Sequence, residues 1–218
     1  MKKAFITILL VLLIDQTLKF WVKTHMMIED HFSVFGDWFY IHFTENNGMA
    51  FGITWGGKWG KLFLSLFRIA AVGGIFYYLT TLVKKKAPSG LIISIALIFA
   101  GAVGNIIDSA FYGVIFTDSF HRVATFMPDE GGYATFLHGK VVDMLYFPLM
   151  EGTFPDWVPG WGGERFLFFR PIFNVADSSI SIGVFMILLF QKRYFPQEKK
   201  VKVDEEKENA EVVSTAAQ

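Results

Sequence analysis

Four aspartates sit in or beside strongly apolar sequence. Asp15 interrupts the run that opens the chain, and Asp108 comes near the end of a later one. Asp143 is flanked by Val141-Val142 and Met144-Leu145-Tyr146-Phe147, and Asp177 heads the last apolar stretch. An ionisable group inside hydrocarbon costs at least ~2.5–3.5 kcal/mol on insertion scales, so each such acid requires a partner or a purpose. Two carboxylates a few ångströms apart cannot both ionise easily, and one of them keeps a proton. Such a pair can take a proton from water while giving another to a leaving group, the chemistry of aspartic proteases. Competing chemistries lack their residues. The chain has no cysteine, no Gly-x-Ser-x-Gly and no His-Glu-x-x-His. Its five histidines (25, 31, 42, 121 and 138) show no zinc-helix spacing, so neither a metal nor an organic cofactor is expected.

Each polar residue also has a plainer explanation. Asp15 and Lys19 are four apart, share a helical face and can neutralise one another, a packing role that spacing alone favours. Asn105 and Asp108 follow Gly101 and Gly104, small residues that admit a close neighbour, so interhelical hydrogen bonding competes evenly with a site. Asn174 as N-cap with Asp177 three residues on resembles a capping box, and taken alone Asp177 reads as a cap. Asn46-Asn47-Gly48 reads first as a tight turn. Asp143 has the least structural excuse; it must be buried, paired or interfacial.

The elements that carry these residues are membrane spans. Of 218 residues, 53% are hydrophobic and only 18% charged, below the ~25% of a typical soluble domain. Four stretches approach the ~20 apolar residues that cross a bilayer: Ala4–Val22, Leu62–Val83, Leu91–Phe111 and Ile172–Phe190. Lys2-Lys3, Lys84-Lys85-Lys86 and the group Lys192, Arg193, Lys199, Lys200 fall on one side only if there are four crossings, which makes that side cytoplasmic. The two long connections then face outward. Trp38–Thr44, aromatic and β-branched, suits a short strand in the first. The second is rich in Phe, Trp, Gly and Pro and suits a structured surface at the lipid interface, with Gly131-Gly132 as a weak hinge signal for a lid. Lys+Arg and Asp+Glu cancel at 20 each, so no global basic field marks a nucleic-acid binder. The expected fold is an all-α membrane protein: four transmembrane helices, a small β-containing outer subdomain and an aromatic-rich outer loop. Residues 1–196 form that domain, and 197–218, alternating Lys and Glu, a disordered cytoplasmic tail. With this topology Asn46, Asn105, Asp108, Asp143, Asn174 and Asp177 all gather near the outer interface.

The motifs Asp15-x-x-x-Lys19, Asn46-x-Gly48-x-Ala50-Phe51, Gly104-Asn105-x-x-Asp108, Val141-Val142-Asp143 and Phe173-Asn174-x-Ala176-Asp177 stand in this order. Over roughly residues 10–190 the chain resembles the bacterial lipoprotein signal peptidases, or type II signal peptidases. The resemblance implies an intramembrane aspartic endopeptidase that cuts prolipoproteins just before a diacylglyceryl-modified cysteine. It also implies a monomer of the bacterial inner membrane, with both termini cytoplasmic and the active site near the periplasmic face. Asp143 and Asp177 would be the catalytic dyad. Asn46, Gly48, Asn105, Asp108 and Asn174 would orient it or hold substrate backbone, and Asp15 with Lys19 would support the site. The partners implied are lipid-modified prolipoproteins and membrane lipid. On this reading Asp177 does chemistry even where it sits at a helix cap. Two departures stand out: Ser109 occupies a position where that family usually carries arginine, so the arginine's electrostatic role is either absent or supplied elsewhere, by Arg122, Arg165 or Arg170, and the stretches on either side of Asp143 are long. A proton- or cation-coupled carrier is the competing class, but its acids would lie at the midplane of a repeated architecture, and no repeat is visible. A non-catalytic membrane scaffold would leave the polar cluster without purpose.

Overall fold

The computed structural model describes residues 1–47, 57–168 and 170–195. Gly48, Ala50, Phe51 and the tail from 197 lie outside them. The chain opens with helix α1 (Lys2–His25), then strands β1 (His31–Phe35) and β2 (Phe39–Asn46), helix α2 (Gly57–Lys84) and helix α3 (Ser89–Ile107). From α3 the chain runs on through a π-helical turn (Asp108–Tyr112) into the single turn α4 (Gly113–Ile115). Strands β3 (Val141–Tyr146), β4 (Met150–Thr153), β5 (Arg165–Phe168) and β6 (Ile172–Phe173) precede helix α5 (Val175–Leu189) and the short α6 (Gln191–Tyr194).

Among the described residues three helical stretches are long and apolar enough to cross a membrane: Lys2–His25, Trp59–Lys84 and Ser89–Ile115. α5 is apolar but shorter, with 15 residues. The chain is therefore mostly helical rather than all-α, because the two long connections build a four-stranded antiparallel sheet in the order β1-β2-β3-β6 and a separate β4-β5 hairpin. The fourth apolar stretch divides where its first residues find sheet partners. Ile172 pairs with Tyr146 and Phe173 with Leu145, and the helix begins only after Asn174. The expected strand at 38–44 is β2, which runs on to Asn46.

α3 packs against α1, α2 and α5. Small residues allow the tightest of these contacts. A Cβ on Gly101 would strike the Ala176 carbonyl and come within 2.5 Å of Ser179 Oγ; one on Gly104 would lie 2.8 Å from Asp15 Oδ2. Gly101→Ala therefore forces α3 away from α5 and is expected to cost about 1–3 kcal/mol, read as a lower unfolding midpoint in detergent. A wild-type midpoint would show that the helices separate freely.

The π turn has a tertiary cause. The carbonyls of Ser109, Ala110 and Gly113 accept from Gly139 N (2.8 Å), Leu137 N (3.3 Å) and Ala134 N (2.8 Å), bonds directed out of the helix. The following loop thus lies on the end of α3, and Gly132 rests against the Gly113 and Val114 carbonyls. Two apolar clusters close the ends of the bundle. Val22, Met26, Phe43, Tyr112, Phe116, Val142 and Met144 fill the space under the sheet. Ala4, Leu79, Leu82, Leu91, Ile95 and Tyr194 pack together at the opposite end, where Lys3 Nζ also reaches Ser89 Oγ (3.2 Å). In the second long connection Phe154 lies near Trp161 and Phe166 (ring centroids 5.8 and 4.8 Å) around the β4-β5 hairpin.

Candidate active site

Strand alternation places the first acid. Val142 and Met144 point into the core under the sheet, so Asp143 between them points the other way. It is 3% exposed. Its Oδ1 accepts from Asn174 Nδ2 at 2.7 Å, and its Oδ2 accepts from Asn46 Nδ2. Asn46 comes from the neighbouring strand, where Asn46 pairs with Val141 and Thr44 with Asp143.

Asn174 is the N-cap of α5. Its Oδ1 accepts the Asp177 N–H at 2.9 Å, half of the capping box the spacing predicts. The Asp177 carboxyl instead turns to α3, its Oδ1 accepting from Asn105 Nδ2 at 2.7 Å. One fully buried asparagine thus touches both acids: its oxygen holds the Asp177 backbone and its nitrogen the Asp143 carboxylate. That nitrogen also reaches Asn105 Oδ1 (3.1 Å) and the Val142 carbonyl (3.2 Å), tying β3, α3 and α5 into one layer.

Beneath this layer sits a charged one. Lys19 Nζ, wholly buried, lies 2.9 Å from Asp15 Oδ2, 2.7 Å from Asp108 Oδ2 and 2.9 Å from Asn105 Oδ1. The self-neutralising Asp15–Lys19 pair expected from spacing is present and gains Asp108 as a second acid. Each acid also holds backbone: Asp15 Oδ1 accepts Ala176 N–H (2.8 Å) at the start of α5, and Asp108 Oδ2 accepts Val142 N–H (3.2 Å) beside Asp143. Gln16 completes the layer, donating to Asp15, Asp108 and the Gly104 carbonyl and accepting from Tyr112 OH. All buried side-chain polar atoms among the described residues have partners.

The structure thus brings Asp15, Lys19, Asn46, Asn105, Asp108, Asp143, Asn174 and Asp177 into one network; Gly48 lies outside the described residues. The substitutes suggested for an arginine at 109 do not join it. Arg122 pairs with Asp118 four residues earlier on the surface, and Arg165 and Arg170 are exposed. Ser109 itself is buried and bonds back to the Asn105 carbonyl (3.0 Å). Sequence reasoning missed Gln16, although it neighbours Asp15, and it missed Arg68, a half-exposed arginine inside the second span. It also missed a second buried pair. Lys23 Nζ lies 2.5 Å from Glu45 and 2.7 Å from Ser119 Oγ, among the rings of Phe43, Phe116 and Tyr133. This pair pins β2 to α1 one residue before Asn46.

Burial and a neighbouring charge bear on the acid of β3. Burial, and then the charge of Asp177, push the Asp143 carboxyl up to about 7, against the pull of Asn174, Lys19 and Asn46 toward the ionised form. A carboxylic acid that holds its proton near neutrality thus lies within the field of a second aspartate, an arrangement suited to exchanging a proton between two acids. Among the described residues no group of three or more His, Cys, Asp or Glu is disposed to hold a metal ion.

A model of the family described as "Signal peptidase (SPase) II" matches residues 7–192. The "Lipoprotein signal peptidase" of Porphyromonas gingivalis (strain ATCC 33277) is 54% identical over 188 residues, covering 85% of this chain and 81% of that protein. The protein of the same description from Amoebophilus asiaticus is 38% identical over 192 residues, covering 87% and 77%. A solved structure described as a bacterial membrane enzyme at 2.3 Å resolution superposes with a TM-score of 0.59 at 27% identity, covering 93% of this chain and 96% of that one.

Proposed function

The chain belongs to the signal peptidase II family of membrane aspartic proteases that cleave signal peptides from prolipoproteins, and from that premise we propose that Asp143 and Asp177 are its reacting pair. The observation that carries this reading is Asn174, which bonds to both acids from one buried side chain, together with the charge coupling between them. The pair holds one proton and binds the hydrolytic water. The ionised member takes a proton as the water attacks the scissile carbonyl; Asp143, carrying the shared proton, polarises that carbonyl and then serves the leaving amine. Asn46, Asn105 and Asn174 orient the carboxyls, and the family motif assigns Gly48 to substrate binding. Asp15, Lys19 and Asp108 fix the backbone on which both acids ride.

The scissile bond precedes a diacylglyceryl-modified cysteine, and the enzyme acts as a single chain in the inner membrane. α5 completes a fourth crossing. The termini lie on the cytoplasmic side, and the sheet and the acid pair lie toward the periplasmic face. Two features support this orientation: the lysine clusters, and the packing of Ala4, Leu79, Leu82, Leu91 and Tyr194 at the end of the bundle away from the sheet. Residues 1–196 constitute the peptidase domain, with 197–218 as a cytoplasmic tail.

The test is cleavage of a diacylglyceryl-modified prolipoprotein by the purified protein in detergent with EDTA, followed against pH. Asp143 must be protonated to act, so the rate is expected to fall as pH rises through about 7, where its carboxyl loses that proton. Substrate lacking the lipid is expected to remain uncut. A rate still rising about two pH units above that value would remove Asp143 as the acid, and loss of activity in EDTA would point to a metal instead.

A further inference from the structure

β2 changes register along β3. Tyr40 and Ile41 pair with Tyr146 and Leu145, whereas Thr44, Glu45 and Asn46 pair with Asp143, Val142 and Val141, so β2 holds one extra residue between the two runs. A bulge of this kind re-aims the side chains beyond it. Here it decides which residue meets the acid of β3. Thr44 and Asn46 share the Asp143 face, and Glu45 falls on the opposite face with Val142. A slip of one residue would exchange those faces and bring the Glu45 carboxyl toward Asp143 in place of the Asn46 amide.

Glu45 is anchored where it would resist that slip. Its side chain is 2% exposed, and its two oxygens reach different elements. Oε1 lies 2.5 Å from Lys23 Nζ on α1, and Oε2 lies 3.4 Å from Lys140 Nζ, one residue before β3. Both lysines are themselves fixed: Lys23 Nζ donates to Ser119 Oγ (2.7 Å), and the Lys140 N–H donates to Tyr133 OH (2.7 Å). A buried ion pair is weak evidence of stabilisation, and its best-attested use is to fix register. The proton transfer makes no use of this one.

We propose that Glu45 is a positioning residue for the Asp143 carboxyl: bound to Lys23 and Lys140 on one face of β2, it locks the shifted register that lays the Asn46 amide against Asp143 on the other. This rests on the reading of Asp143 and Asp177 as the reacting pair and extends it to a residue outside the network that holds both acids.

The experiment measures kcat, KM, the pH–rate profile and the unfolding midpoint of the full chain in detergent, with the diacylglyceryl-modified prolipoprotein as probe. Wild type is compared with Glu45→Gln, Asn46→Ala, the two combined, the neutral pair Lys23→Met with Glu45→Gln, and Asp143→Asn. Glu45→Gln is expected to lower kcat about 10- to 100-fold with little change in KM. Asn46→Ala loses a similar factor, and the combined variant loses no more than the worse single one, because Glu45 acts through Asn46. The descending limb near pH 7 is expected to move upward in Glu45→Gln as in Asn46→Ala, since a carboxyl deprived of an amide donor holds its proton more tightly. Loss of the Glu45 charge alone would move it downward, so the direction of the shift separates a lost hydrogen bond from a lost charge. The other charged groups facing Asp143, Asp177 on α5 and Lys19 on α1, stay unchanged in all the Glu45 and Asn46 variants.

The neutral pair leaves Lys23 no unpaired buried charge, so it is expected to keep a midpoint near that of wild type while showing the same loss of kcat and the same limb. Should Glu45→Gln alone fail to fold, the neutral pair decides. Multiplied losses in the combined variant, an unmoved or lowered limb, or a wild-type kcat in the Glu45 variants would overturn the role of Glu45. A neutral pair that does not fold would assign the contact to folding and overturn it equally. A wild-type kcat in Asn46→Ala, with Asp143→Asn inactive, would overturn the route through Asn46 and leave the reacting pair intact; an active Asp143→Asn would overturn the pair itself.

Discussion

Asp143→Asn and Asp177→Asn are each expected to lower kcat/KM on lipidated prolipoprotein at least about 10³-fold, and the double variant to be no worse than either single one. Non-additivity follows from a shared proton: once one carboxyl is an amide, the remaining acid has nothing to exchange with. The environment should tolerate both changes. Asp177 Oδ1 accepts from Asn105, and an asparagine oxygen can accept the same bond. At 143 an amide nitrogen would meet either Asn46 or Asn174; Asn46, at the end of β2, can turn its own oxygen toward it. Unfolding midpoints within a few degrees of wild type should therefore accompany the loss. Either variant retaining more than about a tenth of the wild-type rate would exclude that residue from the chemistry.

Lys19→Met is expected to have the largest effect on stability, about 3–5 kcal/mol, seen as a drop of roughly 10 °C in the unfolding midpoint. The reason is what it leaves behind. Asp15 is 1% exposed and Asp108 is wholly buried, and without Lys19 two carboxylates face each other with only Gln16 and backbone N–H groups as donors. Adding Asp15→Asn and Asp108→Asn to Lys19→Met should recover much of the loss, because a neutral cluster avoids the uncompensated buried charge. A Lys19→Met protein as stable as wild type would show that water reaches this layer.

Local signals were legible in the sequence. The Asp15–Lys19 pair follows from four-residue spacing, the close approach of α3 to α5 from Gly101 and Gly104, and the start of α5 from Asn174. Signals set by distant contacts were not. Ile172 and Phe173 read as the first turn of a span because a short apolar run looks the same in a strand and a helix; pairing with Leu145 and Tyr146 decides it. Val141–Tyr146 gives no clean alternation, since both faces are largely covered, so β3 was not expected although Asp143 was singled out. The π turn depends on N–H groups from residues 134–139, which no local pattern announces. Arg68 was hidden by averaging: a span judged by mean hydropathy absorbs one arginine without trace, whereas the same attention given to Asp15 would have marked it.

The shortness of α5 has a consequence for the bilayer itself. Fifteen residues at ~1.5 Å each make about 22 Å of helix, some 8 Å less than the ~30 Å of a typical hydrocarbon core. α1 and the long stretch through α3 match or exceed that thickness. Hydrophobic mismatch of this kind draws the lipid surface inward on one flank and leaves it at normal height on the other. On the proposed topology, a fourth crossing this short draws the lipid–water boundary toward the N-terminal end of α5, which carries Asp177, and thicker bilayers would resist the dimple. On that reading membrane thickness becomes a control on how far water must travel to the peptide bond.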